Sequence, residues 1–172
     1  TSGGNLNVSN THVSVAGGGV LELGSDANIN LDKDSNIETD GELKISGDNA
    51  SSVHNLYSSV AGTGTLRKVG SSTLNIGDKN NKRTVKLDSL IIGANNDSQK
   101  QDFVGGTVNI NENVFVKTTK VVGDTEVNIA DKVKLGIVDT KSSDFSSSSI
   151  RFMNNNSFNS AADSKSQTVL KM

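Results

Sequence analysis

Aliphatic residues in this chain come in pairs with one polar residue between them, and the pairs recur every seven or eight residues. Leu6-Asn7-Val8, Val13-Ser14-Val15, Leu21-Glu22-Leu23, Ile29-Asn30-Leu31 and Leu43-Lys44-Ile45 open the series. Val108-Asn109-Ile110, Val114-Phe115-Val116, Val127-Asn128-Ile129 and Val133-Lys134-Leu135 keep it best. Period-two alternation marks a strand with one buried face. Between the pairs stand Ala16-Gly17-Gly18-Gly19, Gly24-Ser25-Asp26 and Thr39-Asp40-Gly41, residue types that build turns. No window sustains apolar residues at i, i+3, i+4 and i+7, so a helical reading fails.

Three such strands make a repeat of about 20–25 residues, within the range of solenoids. Strands of three to five residues are short for a sandwich or barrel, the competing all-β solutions. The fold class expected is therefore all-β, a right-handed parallel β-helix with about three short strands per coil. Its inward aliphatics would stack on the same positions of the next coil. The solenoid is expected over residues 1–140, and residues 141–172 as an irregular or low-complexity continuation. Within that tail Ile150-Arg151-Phe152 and Gln167-Thr168-Val169-Leu170 read as strands. Residues 46–59 break the rhythm and read as a longer loop between coils.

Composition makes the core thin. Hydrophobic residues are 33% of the 172, and aromatics 3%. Counting the 17 glycines brings the apolar share to about 43%, just under the usual globular range. With no cysteine there is neither a disulfide framework nor a thiolate metal site. The 17 basic and 19 acidic residues are interspersed, which gives no nucleic-acid footprint. No apolar run is long enough for a transmembrane helix. The opening Thr-Ser-Gly-Gly, with no initiator methionine or leader, reads as a fragment or processed piece.

Asparagine recurs beside the aliphatics, at Asn7, Asn30, Asn75, Asn109 and Asn128. Stacked strands let such amides bond to one another. Recognition of sugar or ice would need a flat, regular polar face, a regularity these positions do not display in the sequence. Asp32-Lys33-Asp34-Ser35-Asn36 begins like a calcium loop, but Ile37 stands where an EF-hand needs glycine. His12 and His54 have no companion at metal-ligand spacing and read as surface or rung-edge imidazoles. Catalytic residues, cofactors and metals are not expected. Three polar loops are the contact candidates: Asp48 and Asn49; Asp78, Lys79, Asn80, Lys82 and Arg83; and Asn95, Asn96 and Asp97.

Residues 60–77 carry a more specific pattern, Gly62-Thr63-Gly64-Thr65-Leu66-Arg67-Lys68-Val69-Gly70-Ser71-Ser72-Thr73-Leu74-Asn75-Ile76. It resembles the passenger-associated repeat of bacterial autotransporters (type V secretion). The resemblance implies a secreted or surface-displayed β-helical passenger at the bacterial outer membrane. Such a passenger would act as a stalk or adhesin, presenting loops to a host-cell surface or an extracellular protein or glycan, with self-association as a further expectation. Between Leu90 and Val122, the run Val104-Gly105-Gly106-Thr107-Val108-Asn109-Ile110-Asn111-Glu112-Asn113-Val114-Phe115-Val116 is similar to passengers of the vacuolating-cytotoxin type, the alternative, with a β-helical carbohydrate-active enzyme as a third class. For the enzyme, the lone tyrosine and absent tryptophan supply little sugar-stacking surface.

Overall fold

The computed structural model describes residues 5–24, 26–78, 80, 83–94, 104–139, 141–145 and 149–152. Their strands wind one after another into coils. The first coil holds β1 (Asn5–Val8), β2 (His12–Val15) and β3 (Val20–Gly24). The second holds β4 (Asn28–Leu31), β5 (Asn36–Thr39) and β6 (Glu42–Ser46), the third β7 (Val53–Leu56), β8 (Ser59–Ala61) and β9 (Thr65–Val69). Then come β10 (Thr73–Ile76) with β11 (Thr84–Ile92), β12 (Val104–Ile110) with β13 (Asn113–Val121), and β14 (Asp124–Ile129) with β15 (Leu135–Ile137). β16 (Ser149–Phe152) starts a further coil.

The pairings are parallel and join each strand to its counterpart one coil away. A seven-stranded sheet runs β1-β4-β7-β10-β12-β14-β16, so five turns separate β1 from β14. The remaining strands form a nine-stranded sheet bent over two faces. β11 shows the bend: its first half pairs with β8 and its second with β9. This explains why β11 and β13 reach nine residues, longer than the sequence pattern suggests. Each is two short strands running through a corner without a break. The architecture is an all-β parallel solenoid, as the alternation implies.

The interior is made of rows parallel to the axis. Leu31, Leu56, Ile76, Ile110 and Ile129 succeed one another in register on the seven-stranded sheet. Ile37, Val60, Val85 and Val114 form a row on one face of the bent sheet, and Leu43, Leu66 and Leu90 on the other. All of these are buried and belong to one cluster. Residues at the same position of successive coils sit one strand spacing apart, roughly 4.8 Å. Identical or similar aliphatics therefore pack side by side, and area removed from water is the main stabilising term.

Three features depart from the sequence expectation. Residues 46–59 are not a single long loop, because β7 lies inside them and β8 starts at Ser59. His54 is not a surface or rung-edge imidazole. It is fully buried in an inward row between Ile29 and Leu74, with neither ring nitrogen hydrogen-bonded. Burial, and then the charge of Lys68, lower its pKa and keep it neutral. The asparagines also prove regular, as described below. His12 is exposed, with Nε2 3.9 Å from Glu38 Oε2 on the next coil.

Lys68 occupies an inward slot between Ile45 and Ile92 and is fully buried. Its stem fills the row while Nζ donates to the carbonyl oxygens of Val69 at 2.9 Å and Gly70 at 2.8 Å. Desolvation pulls its pKa down to about 8, opposed by Asp48. The unfolded chain holds this proton up to about pH 10.4. Stability should therefore rise with pH between about 8 and 10.5, by about 3 kcal/mol, as the lysine penalty disappears. Lys68→Met should abolish this rise in urea-unfolding curves taken across that window. A rise that survives the substitution would contradict the placement.

Candidate binding cleft

The outward face of the seven-stranded sheet carries an asparagine in six successive coils: Asn7, Asn30, Asn55, Asn75, Asn109 and Asn128. Each Nδ2 donates to the Oδ1 of the coil before it. The distances are 2.8 Å (Asn30 to Asn7), 2.6 Å (Asn55 to Asn30), 2.8 Å (Asn75 to Asn55), 2.8 Å (Asn109 to Asn75) and 3.1 Å (Asn128 to Asn109). The five bonds point the same way along the axis, so the amide dipoles add and polarise one another. The regular polar face that is hidden in the sequence is thus present in the fold.

Beside this ladder, at the corner leading into the first face of the bent sheet, lies an open cleft of about 980 Å³. Asn75, Asn109 and Asn128 form part of its lining, with Tyr57 among the other contributors. The corner turns supply Asp78 and Arg83, then Glu112, then Asp131 and Lys132. These turns align because the strands before them are in register.

Glu112 is the unusual member. It follows Asn111, whose backbone N–H bonds to Ile76 O at 2.8 Å, so its side chain folds against Gly77 of the coil before. Gly77 has φ +79, and a Cβ there would collide with that side chain, so glycine is required. Glu112 is 3% exposed. Its Oε2 accepts the Arg83 N–H at 3.1 Å, and Oε1 has no partner. Burial pushes the carboxyl pKa up to about 7, against the opposing backbone hydrogen bond and charge of Arg83.

Because the unfolded carboxyl ionises near 4.5, the folded state is penalised as pH rises from about 4.5 to 7, and the penalty is complete above 7. The cost is about 1–3 kcal/mol, the solvent of the adjoining cleft screening part of it. Glu112→Gln should therefore stabilise the protein by about 1–3 kcal/mol at pH 8 and change little at pH 4, read by urea unfolding at both values. Equal effects at the two pH values would show that Glu112 is not buried in this way.

The sequence-predicted contact residues divide by position. Asp78 and Arg83 line the cleft, and Asn80 is exposed beside them, its N–H bonded to Asp78 Oδ1 at 3.1 Å. Asp48 and Asn49 are exposed at the opposite edge of the ladder face, in the turn between β6 and β7. Lys79, Lys82, Asn95, Asn96 and Asp97 lie outside the described residues. Asp78, Asn80 and Arg83 follow β10 on one side of the seven-stranded sheet, and residues 47–52 precede β7 on the other. The described contact candidates thus stand on both sides of the ladder.

Sequence reasoning missed Glu112, Glu126, Asn55 and the placement of Tyr57. Among the described residues, no group of three or more histidine, cysteine or acidic side chains is placed to hold a metal ion. Comparison with protein-family models, curated proteins and solved structures gives no match to this chain.

Proposed function

We propose that this chain is a stretch of a secreted or surface-displayed bacterial passenger, and that it works by contact as an adhesive stalk. The observation that carries the reading is the ladder face, where a continuous polar surface with a cleft is bordered on both sides by polar connections. A solenoid supports this role because its stacked coils hold surface groups at fixed intervals over a long distance. The autotransporter-like pattern of residues 60–77 adds to the case for export. Its Gly62-Thr63-Gly64 occupies a corner where Gly64 N–H bonds to Thr39 O at 2.8 Å and Thr63 Oγ1 to Asp40 Oδ1 at 2.8 Å.

The test is adhesion of beads coated with the 172-residue chain to cultured host cells and to bacteria of the source strain. Adhesion above that of uncoated beads, reduced when residues 47–52 and 77–83 are replaced by glycine-serine, is the expected result. Background binding to both cell types would overturn the contact role. A carbohydrate-active enzyme is the second reading, favoured by Glu112, a buried carboxyl with pKa near 7 in a cleft, as a general acid requires. Release of reducing ends from a glycan by the chain, but not by Glu112→Gln, would establish it.

A further inference from the structure

We infer that the cleft binds an extended, uncharged glycan, with the sugar chain lying along the solenoid axis on the asparagine ladder. The inference rests on the contact reading and names its ligand.

Four observations carry it. An amide has two N–H donors and two acceptor lone pairs, and the ladder uses one of each at an internal rung. Asn75 and Asn109 therefore keep one donor and one lone pair each for a ligand. Asn128 differs, since its Nδ2 also donates to Glu126 Oε1 at 3.0 Å, which closes the row at that end. The unspent groups repeat every rung, roughly 4.8 Å. That interval is close to the advance per residue of an extended pyranose chain, whose hydroxyls both donate and accept.

The second observation is Glu112, whose Oε1 is buried without a partner although the residue lines the cleft. Of the buried side-chain atoms without a partner among the described residues, this is the one whose residue lines the cleft, so a small turn of its side chain would present the oxygen to an entering group. A ligand hydroxyl can donate to this oxygen, or accept from it when the carboxyl is protonated. Third, Tyr57 brings aromatic surface of the kind that stacks on the C–H face of a sugar.

Charge supplies the fourth. The lining holds Asp78, Glu112, Glu126 and Asp131 against Arg83 and Lys132. The acidic excess disfavours uronates, sialylated glycans and phosphates. Ala130, Val133 and the Tyr57 ring give the lining apolar surface beside its polar groups, the mixed character that the two faces of a sugar ring need.

Isothermal titration of the 172-residue chain tests this with four probes: cellohexaose, chitohexaose, hexagalacturonate and a lysine-rich peptide. The expected result is measurable binding of at least one neutral hexasaccharide and none of the galacturonate. Affinity should fall at least tenfold in Tyr57→Ala and in Asn109→Val. Circular dichroism spectra and melting temperatures of the variants verify that each remains folded. Should Asn109→Val fail to fold, Tyr57→Ala and Glu112→Gln carry the test, the latter expected to lower affinity at least threefold without loss of stability, and unchanged affinity in both would overturn the inference.

Binding of the peptide or galacturonate in preference to the neutral sugars would overturn the inference. So would neutral-sugar binding that both variants retain. Cell adhesion by coated beads with no hexasaccharide bound would overturn the glycan assignment while leaving the contact reading intact. Absence of both would overturn the two together.

Discussion

Gly62→Ala is expected to lower stability by about 3–4 kcal/mol, one of the two largest effects of any single substitution considered for this chain. Gly62 has φ +139, a conformation L-residues rarely adopt, and an added Cβ would drive into the carbonyl group of Thr39 on the previous coil. Strain and collision act together, and the obstacle is backbone already held in the ladder, which cannot turn aside as a flexible side chain could. Gly18 provides the control. It has φ +78, but open space surrounds the position where its Cβ would lie. Gly18→Ala should cost only about 1 kcal/mol, the conformational part alone. Urea midpoints of the two variants separate the terms. Equal losses would mean that coil-on-coil approach plays no part at the Gly62 corner.

Leu66→Ala should be comparably damaging, at about 3–5 kcal/mol. Leu66 is fully buried, with Leu43 and Leu90 on either side in its row. Truncation removes apolar area and leaves a cavity that rigid neighbouring coils can close only partly. Coils touch mainly their neighbours, so stability is close to a sum of local and nearest-neighbour terms. Weakening the third coil should therefore do more than shift the midpoint. It should broaden or split the unfolding transition, with amides of β14 retaining hydrogen-exchange protection after those of β8 and β9 have lost it. Leu21→Ala, in the partly buried row of the first coil, should cost about 1 kcal/mol and leave a single transition. A sharp, uniform transition in Leu66→Ala would argue against a coil-by-coil interior.

These effects follow from rows that the alternation already marks. Wherever a polar residue separates two aliphatics, as in Ile29-Asn30-Leu31 or Val127-Asn128-Ile129, period two identifies the inward side chains. The signal fails where an inward slot is polar. In Val53-His54-Asn55-Leu56 histidine takes the inward position, leaving the aliphatics three apart and disguising β7 as a loop. Lys68 misleads in the same way, because an inward lysine that reaches backbone carbonyls has no distinguishing pattern along the chain.

The cleft was harder to see because it depends on which residues share a rung. Ladder asparagines are separated by 23, 25, 20, 34 and 19 residues. Connections of unequal length cause this spread, and each is tolerated because extra loop residues add little closure cost. An irregular spacing in sequence thereby becomes a straight line in space. Glu112 is hidden for a related reason: the two residues between β12 and β13 look like any polar turn until Gly77 is placed against them. Asp78 and Arg83 were recognisable as members of a polar loop, but their position beside the ladder was not.

The decisive measurement is a set of spin-label distances along the ladder. The chain has no cysteine, so pairs can be introduced cleanly. With one label at Asn7 and the other at Asn30, Asn55, Asn75, Asn109 or Asn128, double electron–electron resonance and dipolar line broadening should give separations that grow by one rung per coil. Backbone separations should rise in steps of roughly 4.8 Å to roughly 24 Å at Asn128, with label-linker offsets common to all pairs. Equal steps, despite the unequal sequence intervals, are the result the stacked-coil account predicts. Separations that follow the sequence interval, or that return to short values as in antiparallel hairpins, would contradict it.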